Sequence, residues 1–141
     1  MAPAAQRGAV LLEALIAAAV FAFGVLGNVA LCAQALRHVA SAQCRGDAVL
    51  LAHALIGRMR AEDPGTLAAR YDPRASGDGY AAFARLASRL PGADQPDNVP
   101  EVRVEPGPTP SSRKVTVAVR WQLPGEAIAH RYATTAVVGA N

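Results

Sequence analysis

Between Ala14 and Leu36 the chain carries no ionisable side chain except Cys32, and that gap limits every fold open to it. The core of the stretch, Ala14 to Ala33, has twenty residues. As a helix it covers about 30 Å, the thickness of the hydrocarbon layer of a bilayer. Only Asn28 within it is clearly polar. A helix at the surface of a soluble core keeps one wet face, and this one has none. The segment is predicted to enter a membrane over about residues 14–36.

Two membrane readings separate at this point. In one, residues 1–35 are a conventional secretory signal cut after Ala33-Gln34-Ala35. The apolar stretch exceeds the roughly 7–15 residues of a signal core, and Arg7 is the only basic side chain before it. A lipoprotein signal ending at Cys32 places bulky Leu31 where a small residue belongs. In the other reading the apolar helix is kept in the mature protein. The residues before it then carry the argument.

Those residues are Arg7-Gly8-Ala9-Val10-Leu11-Leu12-Glu13. A carboxylate in an apolar span costs about 2.5–3.5 kcal/mol near mid-bilayer and less at its edge, so Glu13 calls for a partner. An acid snorkelling at the membrane boundary, with Gly8 an ordinary loop residue, accounts for the same letters. The residues alone leave both open. Arg7 and the chain terminus on one side of the span nearly balance Arg37 and Arg45 on the other, so charge asymmetry gives only weak support for an inward N-terminus.

The run Gly8-Ala-Val-Leu-Leu-Glu13 resembles the type IV prepilin processing site, a short leader ending in glycine, four mostly apolar residues and a glutamate. The resemblance implies cleavage between Gly8 and Ala9 by prepilin peptidase on the cytoplasmic side, then N-methylation of Ala9. The family usually has phenylalanine or methionine after the cut, where this chain has Ala9. It further implies that Glu13 pairs with the freed amino terminus of a neighbouring subunit. Either charge is costly to desolvate alone and less so when paired, with registry the main gain.

Helical spacing continues beyond the span. Ala48, Leu51, Ala52, Leu55 and Met59 recur on one face, while Arg45, His53, Arg58 and Arg60 fall elsewhere. Asp63-Pro64-Gly65 is the predicted stop, because a residue before proline leaves the helical region. A helix over 9–63 would be roughly 80 Å long. Gly24 and Gly27 suit close helix approach, local unwinding or a merely tolerated small residue. Phe23-Gly-Val-Leu-Gly27, Gln34-Ala-Leu-Arg37 and Leu55-Ile-Gly-Arg-Met-Arg-Ala61 are similar to the PilV group of minor pilins, also called type IV pilus modification proteins.

The rest reads as a small α+β domain over 64–141. Tyr80, Phe83, Leu86, Ala87 and Leu90 form a short amphipathic helix ended by Pro91-Gly92. Ala93 to Pro100 is a polar loop. Strands follow over Glu101–Glu105, Val115–Gln122 and His130–Val138, broken by Pro106 to Pro110 and by Pro124-Gly125. Val115, Val117, Val119 and Trp121 share one face. An antiparallel sheet packed on the second half of the long helix buries both apolar faces, which is also the general pilin architecture. Residues 1–8 are then the leader and 9–63 the long helix.

Composition agrees with this organisation. The chain has 141 residues, room for one modest domain. Apolar residues make up 52% and aromatics only 5%, which suits helices packed through small side chains rather than an aromatic-lined pocket. A net charge of +3 indicates no nucleic-acid surface. Cys32 and Cys44, about 18 Å apart along one helix, lie beyond disulfide reach and read as small apolar residues ahead of a bridge between subunits. No catalytic motif, cofactor site or metal site is expected. His38, His53 and His130 are scattered, and Ser76-Gly-Asp-Gly79 reads as a turn.

The resemblance thus implies a bacterial inner-membrane subunit, N-terminus cytoplasmic and C-terminal domain periplasmic, that enters a pilus. Its partners would be other major and minor pilins, prepilin peptidase and the inner-membrane assembly platform. A pseudopilin of a type II secretion system shares the processing site and fold. A secreted binding or catalytic domain behind a signal is a rival of another class.

Overall fold

A computed structural model describes residues 4–75 and 77–139. Among the described residues there are three α-helices, two single-turn 3-10 helices and one sheet, an α+β layout. Helix α1 runs Ala4–Arg60, α2 Leu67–Tyr71 and α3 Asp78–Ala87. Strands β1 (Glu101–Pro106), β2 (Ser112–Trp121) and β3 (His130–Gly139) form an antiparallel meander in the order β1-β2-β3. Internal contacts divide the chain into two compact units, one up to Ala40 and one from Ser41 onward.

Alanine-rich composition and the lack of proline between Pro3 and Pro64 favour helix throughout α1. The helix ends at Arg60, three residues before the predicted stop. Pro64 forbids helical geometry at Asp63, and the turn before it tightens. Ala61 N–H donates to Arg58 O and Glu62 N–H to Met59 O, both three residues back.

In the second unit, Cys44, Ala48, Ala52, Leu55, Ile56 and Met59 form the buried stripe of α1. Ala48 and Ala52 are fully buried within this stripe. Facing them are Val115, Val117, Val119 and Trp121, all buried, as their period-two spacing predicted. The Tyr132 hydroxyl and His53 Nε2 meet at 3.2 Å, joining β3 to α1 at the edge of this core. On the opposite face of the sheet Arg120 pairs with Glu101 at 2.6 Å, Lys114 with Glu105 at 3.7 Å, and Thr116 with Thr135 at 3.1 Å.

Several predicted boundaries move. β2 begins at Ser112 rather than Val115, because Arg113 and Lys114 pair with both neighbouring strands although they break the apolar alternation. The short amphipathic helix stops at Ala87, and Leu90 reaches the core from the turn that follows it. Leu86, expected on the apolar face, is 40% exposed. Helix α2 was not anticipated in the mixed region. It rests on buried Leu67 and Tyr71, and Tyr71 is paired with Gly79, where a Cβ would come within 2.5 Å of the ring. Ser76, part of the predicted turn, lies outside the described residues, as do residues 1–3 of the expected leader.

Met59 is wholly buried in the middle of this core. Met59→Ala is expected to destabilise the folded unit by about 2–5 kcal/mol, measured by urea unfolding followed through Trp121 fluorescence.

Candidate functional site

Gly8, Ala9 and Glu13 all lie on α1 and all are exposed. Ala9 and Glu13 are four residues apart, hence on one face of the helix. Around the Glu13 carboxylate stand Ala9, Leu12, Ile16 and Ala17, a shallow apolar surface. Among the described residues nothing forms an ion pair with Glu13. Gly8 has no packing reason to be glycine, since a Cβ there meets no atom within 4 Å. A helical glycine costs up to about 1 kcal/mol relative to alanine, so no intramolecular contact accounts for it. The same holds for Gly24 and Gly27. The Gly8–Ala9 peptide bond is helical and lies in the first turns of α1.

Beyond Glu13 the apolar side chains are exposed on every side of the helix. Leu15, Val20, Phe21, Phe23, Leu26 and Leu31 are all more than half exposed. Among the described residues this is the one helix long and apolar enough, by length and composition, to cross a membrane. Cys32 is exposed on it, its Sγ 3.8 Å from Asn28 Oδ1, while Cys44 is buried in the other unit. Burial, with Asp47 and Glu126 adding, pushes the Cys44 thiol above its ordinary value.

The other polar clusters serve the fold. Arg70 grips Asp78 through two bonds, Nε to Oδ1 at 3.2 Å and Nη2 to Oδ2 at 3.1 Å. It also reaches Glu62 at 3.1 Å, and the Tyr71 hydroxyl donates to the same carboxylate at 2.8 Å. This latch ties the end of α1 to α2 and α3, and the sequence reading missed it because its members are eight and sixteen residues apart. The His130 ring lies 2.9 Å from Glu126 and stacks on Trp121 with centroids 5.5 Å apart. Arg58 and Arg60 are exposed. Among the described residues no three His, Cys, Asp or Glu side chains are placed to hold a metal.

Comparison with family models, curated proteins and solved structures finds no match to this chain.

The Arg70 guanidinium holds the Asp78 carboxyl below its ordinary value. Its contribution to stability is therefore full above the unfolded carboxylate value, about 3.9, and is lost as pH falls through the lower folded value. Asp78→Asn is expected to lower the melting temperature at neutral pH. The gap from the unaltered chain should close on acidification through that window, as followed by circular dichroism.

Proposed function

We propose that this chain is a minor type IV pilin, a structural subunit that helps initiate or modify pilus assembly. The observation that carries the reading is the all-round exposure of the apolar side chains of α1 after Glu13, which forms no ion pair among the described residues. Such a helix needs lipid before assembly and other helices afterwards. A bilayer satisfies the first need, and the packed helices of a filament satisfy the second. Prepilin peptidase removes residues 1–8 and frees the amino group of Ala9, which is then methylated. That amine is the natural cation for Glu13 of an adjoining pilin, because both would otherwise be stranded in an apolar medium. The remainder of α1 carries the sheet, which faces outward through charged and hydroxyl side chains.

The site calls no catalytic chemistry into the account. Partners are other major and minor pilins and the inner-membrane assembly platform. The domain from residue 64 lies in the periplasm before entering the pilus.

Three experiments test the proposal. Mass spectrometry of the mature protein is expected to find a chain beginning at N-methylated Ala9. A chain beginning at Gln34 or later would replace this reading with a secreted domain. Gly8→Ala should block the cut while leaving the melting temperature unchanged, since glycine has no packing role there. Glu13→Ala should be processed normally yet enter filaments at a small fraction of the normal level, read by immunoblot of sheared pili.

A further inference from the structure

The sheet has two edges, β1 and β3, and on β1 the register settles which backbone groups face outward. Gly107 N–H donates to Ser112 O at 3.0 Å, continuing the register in which Pro106 faces Arg113. In an antiparallel ladder such a direct bond marks a hydrogen-bonded pair, and the two kinds of pair alternate. Glu101, Arg103 and Glu105 therefore turn their amides toward β2, while Val102, Val104 and Pro106 turn theirs away from the sheet. Among the described residues no bond reaches the N–H or carbonyl of Val102 or Val104 from outside the sheet. Pro106 lacks its N–H at an outward position, where β2 has no use for one. An open groove of about 700 Å³ follows this edge, lined by every residue from Glu101 to Glu105 and by others that include Pro73, Tyr80 and Val99. Successive strand residues line it, whereas a groove on one face of the sheet would take alternate ones.

An unpaired strand edge is a template for another strand, and its side chains select which one. On the outer face β1 presents Glu101, Arg103 and Glu105, acid, base and acid at every second residue. Charges of one sign would repel a second copy of the strand. This alternation supplies its own complement when the second copy runs antiparallel. Two registers set Arg against Glu and keep the outward amides opposite one another. In one, Val102 faces its counterpart, Arg103 faces Glu101, and Val104 N–H needs the Pro100 carbonyl. That carbonyl already accepts from the Tyr80 hydroxyl at 2.9 Å, and Glu101 is held by Arg120 at 2.6 Å. In the other, Val104 faces its counterpart and Arg103 faces Glu105, twice by symmetry. Both side chains are loosely held: Arg103 is 3.8 Å from Glu101 and 72% exposed, and Glu105 is 3.7 Å from Lys114 and 54% exposed. Strand β3, the other edge, has His130 and Arg131 as its only basic side chains and no acid, so it carries no such complement.

We infer that β1 pairs edge to edge with β1 of a second copy of this chain, antiparallel and two-fold symmetric, to make one continuous sheet. Val104 of each copy exchanges N–H···O=C bonds with Val104 of the other, and Val102 N–H of each donates to the other's Pro106 carbonyl. Arg103 of each copy pairs with the other's Glu105, the two charges lying directly opposite across the seam. The ladder ends at Pro106, which accepts and cannot donate. So short a seam is weak between free molecules and forms as their concentration rises. It involves nothing before Ser41 and does not depend on the pilin reading.

The full chain in detergent micelles is followed by hydrogen–deuterium exchange of the segment from Pro100 to Gly107, read by mass spectrometry at low micromolar and at submillimolar concentration. The Val102 and Val104 amides are expected to slow about tenfold at the higher concentration. Arg103→Glu sets acid against acid across the seam, and Glu105→Arg sets base against base. Either variant alone should exchange at the dilute rate at both concentrations. An equimolar mixture of the two restores opposite charges at both crossings and should recover the slow rate. Both positions are exposed, so melting temperatures should stay close to that of the unaltered chain. Exchange in the unaltered chain that ignores concentration overturns the proposal, even where the chain associates through α1 or β3. Slowing that persists in either variant alone, or a mixture that stays fast, overturns the charge-matched antiparallel pairing.

Discussion

The rest of the structure depends on the first part of α1, whose large apolar side chains stand exposed among the described residues. From Val10 to Leu36 each large hydrophobic residue stands exposed, and within that run the only carboxylate is Glu13 at its head. Water does not tolerate so long an unbroken apolar surface, and no second helix or sheet of the described chain covers it. The surface must be met from outside. In the reading proposed above, lipid meets it in a single molecule and neighbouring helices meet it in an assembly.

The second unit solves an ordinary packing problem on the continuation of the same helix. From residue 41 the pattern changes to one buried stripe, formed by Cys44, Ala48, Ala52, Leu55, Ile56 and Met59. The sheet supplies valines and Trp121 on one face and charged pairs on the other. Dispersion and apolar burial act on the inner face, and exposed ion pairs keep the outer face soluble at little gain in stability. The Arg70 latch closes the connection between helix and sheet, so the turn after Pro64 is held by charge as well as by its backbone.

Much of this was legible in the residues. Period-two valines placed the central strand, and the i, i+4, i+7 spacing from Ala48 placed the buried stripe, because both periodicities follow from backbone geometry alone. What escaped was of a different kind. The start of β2 at Ser112 was hidden because Arg113 and Lys114 belong to the ladder through backbone pairing, to which side-chain polarity is blind. Leu86 and Leu90 share an apolar pattern, yet a helix that ends at Ala87 sends one toward solvent and the other inward. Gly79 is glycine for the sake of Tyr71, a neighbour across a turn that no local window includes.

The linear order of residues by itself determined that part of this chain is a helix apolar on every side, that helix continues past it, and that three strands follow. Each is a property of runs and spacings, set by transfer free energy and by the repeat of the backbone. Only the tertiary structure decided that Tyr132 on β3 meets His53 on α1, which carboxylates Arg70 joins, and that the outer edge of β1 is left unpaired. Those facts depend on which surfaces meet when the sheet closes on the helix, and distance along the chain carries no information about that.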